Sequence, residues 1–142
     1  MSNPHRSVGV IARNHAATRF YVQQKDAAYR PHPRGYSLFG GAIEPGEAPL
    51  EALARELDEE LGGAAQLLLA AGPLLVSEAR VGPSEFQFAL FEVVLDDARL
   101  DTLAHTPVYE GERGAVVTRE QLLALPFIWG LGAVVRAYLD RV

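Results

Sequence analysis

The sequence predicts an α/β domain in which helices pack on a mixed β-sheet. Short segments with alternating or continuous apolar character, typical of strands, occur in both halves of the chain. Segments with the 3.6-residue periodicity of amphipathic helices lie between and after them, and this mixed order favours a sheet covered by helices. Because the sequence has no internal repeat, low-complexity tract or interdomain linker, we expect residues 1–142 to form a single domain.

The first third of the chain contains three predicted strands. Residues 8–12 and 20–24 are apolar-biased segments separated by a polar stretch, and we predict that they form a hairpin. Residues 25–35 contain two prolines and a glycine and are predicted to form a loop. A short third strand over residues 36–39 then runs into the pair Gly40-Gly41.

A helix is predicted over Pro49–Leu61. Proline suits the first helical turn, because its missing N–H costs nothing there, and Gly62 suits the C-terminal stop. Glu47, just ahead of the helix, is favourable at the positive end of the helix dipole. Apolar residues follow the i, i+3, i+4, i+7 spacing of one buried stripe. We expect this stripe to consist of Leu50, Leu53, Ala54, Leu57 and Leu61.

The middle of the chain supplies two longer predicted strands. Residues 67–81 and 85–95 are joined by a predicted turn at Gly82-Pro83, and alternation places three apolar side chains on one face of the second strand. The polar residues 96–106 that follow are predicted to form a loop.

A short strand and two helices are predicted near the C-terminus. Residues 115–117 are the strand. Thr118 followed by Gln121 is a capping-box signature for a helix through Ala124, which a proline ends. The apolar periodicity of Leu131–Leu139 predicts the last helix.

The composition excludes several classes of protein and site. The chain has no cysteine, which rules out disulfides, thiolate metal sites and a cysteine nucleophile, and is compatible with the cytoplasm, the location that we predict. No apolar run approaches the roughly 20 residues that cross a bilayer, and residues 1–7 lack the hydrophobic segment of a signal peptide. We therefore expect no membrane partner. The net charge of −5 weighs against a nucleic-acid partner, but not against a phosphorylated small molecule.

Three glutamates occupy the last turns of the predicted helix. Glu56, Glu59 and Glu60 stand at i, i+3 and i+4, so their carboxylates project from one face at the edge of the apolar stripe. Like charges at this spacing oppose helix formation by roughly 0.2–0.5 kcal/mol per pair, and they lie at the wrong end of the helix dipole. A bound divalent cation would remove this conflict, because hard oxygen ligands are what Mg²⁺ or Mn²⁺ requires. The alternative is an ordinary solvated acidic face.

The surroundings of these glutamates decide between the two interpretations. Gly41, Glu47, Arg55-Glu56, Glu59-Glu60 and Gly62 stand at a fixed spacing. Residues 41–63 thereby resemble the Nudix box: Gly, five residues, Glu, seven residues, Arg-Glu, an aliphatic residue, any residue, Glu-Glu, any residue, Gly, an aliphatic residue. The resemblance implies the family's α/β/α sandwich with a mixed sheet, and an enzyme that hydrolyses acid anhydrides in phosphorus-containing compounds.

The sequence departs from the family pattern at two places. The final aliphatic position of the box is Gly63, which removes one packing contact, so we expect a structural effect there rather than a catalytic one. Many relatives have Pro-Gly-Gly before the box, whereas this chain has Phe39-Gly40-Gly41, and we expect Phe39 to alter the shape of the pocket mouth. The paired glycines that let the loop approach a metal or phosphate remain.

The resemblance implies roles for the residues of the box. Glu56, Glu59 and Glu60 would be catalytic ligands of Mg²⁺ or Mn²⁺, joined by the backbone carbonyl of Gly40. Glu47 and Arg55 would pair, holding the helix against the preceding loop and orienting the carboxylates. The alternative for this pair is an ordinary contact on the helix surface.

The reaction implied by the resemblance is attack of water on a phosphorus atom. Cations would polarise the phosphoryl oxygens and lower the pKa of the water, and a carboxylate would remove its proton. Relatives differ in which carboxylate does so: some use a box glutamate, and others a glutamate from a loop after the central strands. Glu110 is the candidate from such a loop, Glu112 is its rival, and a solvated loop residue is the alternative for each.

Residues outside the box are candidates for substrate contacts. Lys25, Arg30 and Arg34 cluster just before the glycine pair and could contact substrate phosphates, although isolated basic loop residues more often belong to the solvated surface. Trp129 could stack on a base. For the pair Phe86 and Phe88, packing in the core is the better interpretation.

The sequence therefore predicts a metal-dependent hydrolase that cleaves a phosphoanhydride bond in a nucleoside diphosphate linked to another group. A (deoxy)nucleoside triphosphate is the default small-molecule substrate by elimination, because the family's cues for ADP-ribose, dinucleoside polyphosphates and coenzyme A are absent. The alternative is a Nudix domain that senses a nucleotide without hydrolysing it, but such proteins commonly lose box glutamates and this chain retains them. A homodimer is also compatible with the resemblance, since dimers are frequent in that family.

Overall fold

A computed structural model describes residues 6–81 and 86–142 of the chain. Within these ranges the strands are β1 (Arg6–Arg13), β2 (Arg19–Gln24), β3 (Tyr36–Ser37), β4 (Phe39–Ala42), β5 (Leu74–Val81), β6 (Phe86–Val94) and β7 (Arg113–Thr118). The α-helices are α1 (Pro49–Leu61), α2 (Ala65–Leu69), α3 (Asp97–Ala104), α4 (Arg119–Ala124) and α5 (Leu131–Leu139). The predicted helices α1, α4 and α5 are thus confirmed.

The strands form one mixed sheet in the order β3-β2-β1-β6-β5. Strand β1 runs parallel to β6 and antiparallel to β2, so the predicted hairpin is confirmed. Strand β7 pairs with β2, and β4 pairs antiparallel with β1. Because Gly9 lies opposite Gly40, and Val8 opposite Gly41, the glycine pair is fixed by hydrogen bonding next to the centre of the sheet.

Helices cover both faces of the sheet. On one face, α1, α2 and α3 pack leucines such as Leu53, Leu68 and Leu100 against the strands. On the other face, α4 and α5 contribute Leu122 and Val135 to a second apolar cluster. Successive strand residues point to opposite faces, so the central strands supply both clusters. The predicted α/β/α sandwich is confirmed. Among the described residues, no helix combines the length and the apolar character needed to cross a membrane.

The buried face of α1 differs from the predicted stripe. Three of the five predicted apolar positions are buried, but Leu50 is 46% exposed and Ala54 is only half-buried. Ala52 and Glu60 complete the buried face instead. The helix is therefore rotated toward its glutamates and carries one carboxylate into the core.

The strand predicted over residues 67–81 is wrong in its first part. A 3₁₀ turn over Gly62–Ala64 leads into α2, and the strand begins only at Leu74. Gly63 is exposed in this turn, with no atom near the position that a Cβ would occupy. A short continuous apolar run fits a buried helix as well as a strand, and here Leu68 is fully buried as a helical residue.

Residues 96–106, predicted to form a loop, contain helix α3. An Asp96 carboxylate oxygen caps this helix by accepting a hydrogen bond from the Arg99 N–H at 2.8 Å. Leu100 and Leu103 are fully buried, whereas the other side chains of the segment are mostly polar. The prediction is wrong because two leucines give too weak an apolar pattern in so short a helix.

The predicted third strand is divided into two. Strand β3 ends at Ser37, and β4 contains Gly40-Gly41 rather than running into them. Phe39 is 1% exposed and stacks on Tyr21, with ring centroids 5.1 Å apart. The expectation that Phe39 shapes the pocket mouth is therefore wrong, because this side chain belongs to the core. The predicted turn at Gly82-Pro83 lies outside the described residues.

We expect Leu100→Ala to lower the free energy of unfolding by roughly 2–5 kcal/mol, because it removes a fully buried side chain and leaves a cavity. Leu123→Ala, in a helical leucine that is 46% exposed, is the matched control and should change stability by less than about 1 kcal/mol. Urea denaturation of both variants measures the difference. Equal losses of unfolding free energy in the two variants would show that Leu100 is not packed in the core.

Candidate active site

Strand β4 brings two glycines against α1. Gly40 has a φ of +145°, and a Cβ there would lie 2.0 Å from the Val8 carbonyl oxygen, so only glycine fits. A Cβ at Gly41 would lie 2.5–2.7 Å from the carboxylate atoms of Glu56. The lack of side chains at these two positions therefore lets the carboxylates of α1 approach the backbone of β4.

Glu60 places a carboxylate in the core. The residue is 1% exposed. Its Oε1 accepts a hydrogen bond from the Gly40 N–H at 2.8 Å, and its Oε2 accepts one from Gln23 Nε2 at 3.1 Å. Within residues 6–81 and 86–142, no lysine, arginine or histidine forms an ion pair with this carboxylate. Among the described residues, Glu60 is thus buried with hydrogen-bond donors but without an ion-pair partner.

Burial raises the pKa of Glu60 to about 8, because desolvation disfavours the charged form. The Gly40 N–H and the positive charge of Lys25 lower this pKa, whereas repulsion by Glu110 and Glu56 raises it. A cation bound next to Glu60 would relieve both the desolvation and the repulsion.

The other two box glutamates contact Arg55. The side chain of Glu56 is 14% exposed, and its Oε1 accepts a hydrogen bond from Arg55 Nη1 at 3.0 Å. The Glu59 side chain is 51% exposed, with its carboxylate 3.6 Å from the same nitrogen. Burial raises the pKa of Glu56, and Arg55 opposes this rise. The structure therefore places the Glu56 and Glu60 carboxylates against Gly40 and Gly41 of β4, whereas the Glu59 side chain is exposed to solvent.

Arg55 also forms the predicted pair with Glu47. Its Nε and Nη2 donate to the two carboxylate oxygens of Glu47, both at 2.9 Å, and Nη2 donates to the Ala42 carbonyl oxygen at 3.0 Å. This two-point contact lowers the pKa of Glu47 to about 2. The guanidinium thereby joins α1 to the segment that follows β4. The role of this pair in catalysis stays a prediction.

The carboxylates fit a hard divalent cation by chemistry but not yet by arrangement. In the described ranges, no three Asp, Glu, His or Cys side chains are placed to hold one ion. Arg55 Nη1 instead bonds the Glu56 carboxylate and lies 3.6 Å from that of Glu59. The donors are all oxygen atoms, as such ions require, and Glu60 has no ion-pair partner among the described residues.

Glu110 lies in the loop between α3 and β7. Its charge acts on the α1 carboxylates, because it contributes to the raised pKa of both Glu56 and Glu60. Its rival Glu112 instead pairs with Arg34 at 3.5 Å. The charge of Glu110 thus acts on two of the predicted metal ligands, whereas the carboxylate of Glu112 pairs with Arg34.

A cleft with a volume of 330 Å³ opens beside Gly40-Gly41. Its lining includes Lys25, Tyr29 and Trp129. Trp129 is 39% exposed, and its Nε1 donates to the Tyr29 hydroxyl at 2.8 Å. The Lys25 ammonium lies 5.0 Å from the centroid of the Tyr29 ring. The cleft thus combines aromatic walls with one cation near the glycine pair, which suits a flat apolar group carrying phosphate.

The three basic residues predicted to contact phosphate, Lys25, Arg30 and Arg34, do not lie together in the structure. Only Lys25 lines the cleft. Arg30 donates to the Ala27 carbonyl oxygen at 3.1 Å, and Arg34 pairs with Glu112. The prediction of a single basic cluster is therefore not supported for the two arginines. Phe88 is a buried member of the second apolar cluster and Phe86 packs against that cluster, as the core interpretation predicts, but both side chains also line the cleft.

Gln23 and Tyr21 are residues of this site that the sequence does not single out. Gln23 is fully buried and donates to Glu60, and the pKa of Tyr21 is raised by burial and by the charge of Glu60. Among the described residues, the Tyr21 hydroxyl and Gln23 Oε1 are buried without a hydrogen-bond partner. The sequence contains one signal that could have identified Gln23. Its amide lies on the same face of β2 as Tyr21, where the alternation of the strand predicts an apolar residue.

In EDTA, the free energy of unfolding should fall as pH rises from about 5 to about 8. Glu60 has a pKa of about 8 in the fold against an ordinary 4.5, so in this window the folded protein holds a proton that the unfolded chain has lost. Rising pH therefore favours unfolding until Glu60 is ionised in both states. Glu47 and Glu92, with lowered pKa values, change stability only at lower pH. Denaturant midpoints across this range measure the slope.

Glu60→Gln is the control for this titration, because it removes the ionisable group. The variant should lose most of the decline in stability between pH 5 and 8, which is at most a few kcal/mol in wild type, because the one other described glutamate with a raised pKa, Glu56, is less buried. Parallel pH profiles for wild type and Glu60→Gln would show that Glu60 is not the group that titrates.

The family comparison covers nearly the whole chain. The model of the NUDIX domain matches residues 3–138. The uncharacterized Nudix hydrolase orf19 of Rhodococcus erythropolis is 40% identical over 60 residues, an alignment that covers 41% of this chain and 32% of that protein. The chain thus matches about a third of the length of this curated relative.

Solved structures share the fold. The MutT protein of Methanosarcina mazei Go1 has a TM-score of 0.68 at 20% identity, covering 99% of this chain and 96% of that one. DR0079 of Deinococcus radiodurans has a TM-score of 0.71 at 21% identity, with coverages of 94% and 82%. The E. coli dihydroneopterin triphosphate pyrophosphohydrolase has a TM-score of 0.67 at 17% identity, with both coverages at 96%. At these identities the likeness concerns the fold, and together with the match over residues 3–138 it shows that the chain belongs to the NUDIX domain family.

Proposed function

We propose that this protein is a metal-dependent pyrophosphohydrolase that cleaves a phosphoanhydride bond in a nucleoside diphosphate linked to another moiety. The single observation that carries the proposal is the carboxylate of Glu60, which is buried beside Gly40 and close to Glu56 and has no ion-pair partner among the described residues. A carboxylate in this position opposes folding unless it has a partner. A divalent cation that bridges to phosphate is the partner that the family membership suggests.

The ion would be Mg²⁺ or Mn²⁺, because every donor is a carboxylate or carbonyl oxygen. Glu56, Glu59 and Glu60 would hold it, together with the carbonyl oxygen of Gly40. When bound, such an ion polarises the phosphoryl oxygens and lowers the pKa of the attacking water. The contact of Arg55 with Glu47 would keep α1 in register with β4 while the carboxylates rearrange.

The proton of the attacking water would go to a carboxylate. Glu110 is the preferred acceptor, since its charge acts on the α1 carboxylates from the opposite loop. A box glutamate that is not fully committed to the metal is the alternative. The structure favours Glu110 over Glu112, whose carboxylate is engaged by Arg34.

The cleft beside the glycine pair would bind the rest of the substrate. Lys25 would contact phosphate oxygens, while Trp129 and Tyr29 would flank the base. A (deoxy)nucleoside triphosphate is the first substrate class to test, and the dihydroneopterin triphosphate pyrophosphohydrolase among the structural neighbours is consistent with a triphosphate. A homodimer, a cytoplasmic location and the lack of a nucleic-acid partner stay predictions.

The proposal is tested with a panel of nucleoside triphosphates, nucleotide sugars, ADP-ribose and dinucleoside polyphosphates in Mg²⁺ or Mn²⁺. We expect turnover of at least one compound, lost in EDTA. Glu60→Gln should reduce kcat/KM by more than about 100-fold, since contacts around a metal site are alone worth roughly 10–100-fold. Glu120→Gln, in an exposed glutamate of α4, is the matched control and should retain wild-type rates.

Two results would contradict this proposal. Undiminished turnover in Glu60→Gln would remove Glu60 from the reaction. If wild type turns over none of the compounds but binds one of them, the protein is a nucleotide sensor rather than an enzyme.

A second prediction separates the three basic residues of the loop before β3. Lys25→Gln should raise KM for the best triphosphate about tenfold, equivalent to ~1.4 kcal/mol, because it removes a charge-assisted contact to phosphate. Arg30→Gln and Arg34→Gln should leave KM unchanged, since the Arg30 side chain contacts its own loop and that of Arg34 pairs with Glu112. Steady-state kinetics on the three variants decides. An increase confined to either arginine variant would show that the cleft is wrongly assigned.

A further inference from the structure

Gln23 connects helix α1 to the loop that carries Glu110. The residue is fully buried in β2. Its Nε2 donates to Glu60 Oε2 at 3.1 Å and to the backbone carbonyl oxygen of Glu110 at 3.3 Å. One side-chain amide therefore bonds both the buried carboxylate and the loop opposite it.

The orientation of this amide follows from its neighbours. Both atoms that it faces are acceptors, so the nitrogen and not the oxygen must point toward them. Its Oε1 is buried without a hydrogen-bond partner among the described residues. A buried acceptor without a partner is unfavourable, and an apolar side chain of the same shape would avoid it. An apolar residue would, however, leave the Glu60 carboxylate and the Glu110 carbonyl oxygen without this donor, so the amide is explained by the two groups that it joins.

The Glu110 loop is fitted closely around Gln23. A Cβ at Gly111 would lie 3.2 Å from Gln23 Nε2 and 2.8 Å from the Gln24 carbonyl oxygen, so a glycine there allows the loop to close on the amide. On the other side of Glu110, the Tyr109 N–H donates to the Glu60 carbonyl oxygen at 2.7 Å. The loop is thus bonded to the backbone of Glu60 directly and to its carboxylate through Gln23.

We propose that Gln23 is a positioning residue that sets the Glu60 carboxylate and the Glu110 loop relative to each other. The inference rests on the proposed function of the same site. With both N–H groups of one amide in use, the Glu60 carboxylate is oriented before a cation arrives, and Glu110 is held at a defined distance from it. Such outer contacts orient metal ligands and contribute to their affinity.

The test compares Gln23→Met, which keeps the length of the side chain and removes both donors, with wild type. Mn²⁺ alone is titrated and followed by electron paramagnetic resonance, and steady-state kinetics is measured on the best substrate. We expect Mn²⁺ to bind about tenfold more weakly and kcat to fall roughly 10–100-fold. KM should change little, because Gln23 does not line the cleft.

Gln24→Met is the matched control. It also removes two side-chain hydrogen bonds, with the Arg34 carbonyl oxygen and with Arg113 Nε, but none to Glu60 or to Glu110. This variant should keep wild-type Mn²⁺ affinity and kcat. Equal behaviour of the two variants would overturn the positioning role while leaving the proposed function intact. Wild type that neither binds Mn²⁺ nor turns over substrate would overturn both.

A measurement on wild type covers the case in which Gln23→Met does not fold. The side-chain NH₂ signals of Gln23 in nuclear magnetic resonance spectra should be protected from solvent exchange and should shift when Mg²⁺ is added. Signals that exchange at the rate of an exposed amide, or that Mg²⁺ leaves unchanged, would overturn the proposal.

Discussion

The hydrogen bonds that hold the Glu60 carboxylate between Gly40 and Gln23 are the constraint on which the rest of the site depends. They require glycine at position 40, because any Cβ there would collide with the backbone of β1. They also require that α1 be rotated so that Glu60 faces inward, and the leucines beside it hold the helix in that rotation. The effective penalty for burying a carboxylate is several kcal/mol, and two hydrogen bonds offset only part of it. The fold thus holds an acid that is neutral below its raised pKa and that, once ionised, lacks full compensation unless a cation binds.

Arg55 balances the remaining acids around this point. Four glutamate side chains lie within 4.0 Å of its guanidinium: Glu44, Glu47, Glu56 and Glu59. Its strongest contact, the two-point pair with Glu47, joins α1 to the chain before it and leaves Nη1 facing the carboxylates of the helix. Arg55 therefore reduces repulsion in the metal-free protein, and a cation would replace it as the partner of Glu56 and Glu59.

Local patterns made the fold class, helix α1 and the residues of the Nudix box predictable from the sequence. The spacing of the box and the period of the helix are properties of neighbouring residues. Helix α3 was not predictable, because only two leucines mark it. Nor was the burial of Glu60 in place of Glu59, since adjacent helical residues differ by about 100° and tertiary packing selects the buried one. Gln23 contacts groups 37 and 87 residues away, a relation that no local pattern contains.

The proposed divalent-metal site is formed by Glu60 and Glu56 against Gly40-Gly41. It is tested most directly by anomalous diffraction from crystals grown with Mn²⁺. We expect an anomalous peak within coordination distance of the Glu60 and Glu56 carboxylates and the Gly40 carbonyl oxygen, with Glu56 turned away from Arg55. A crystal that has no peak there, or whose peak lies elsewhere while Glu56 stays bonded to Arg55, would contradict it.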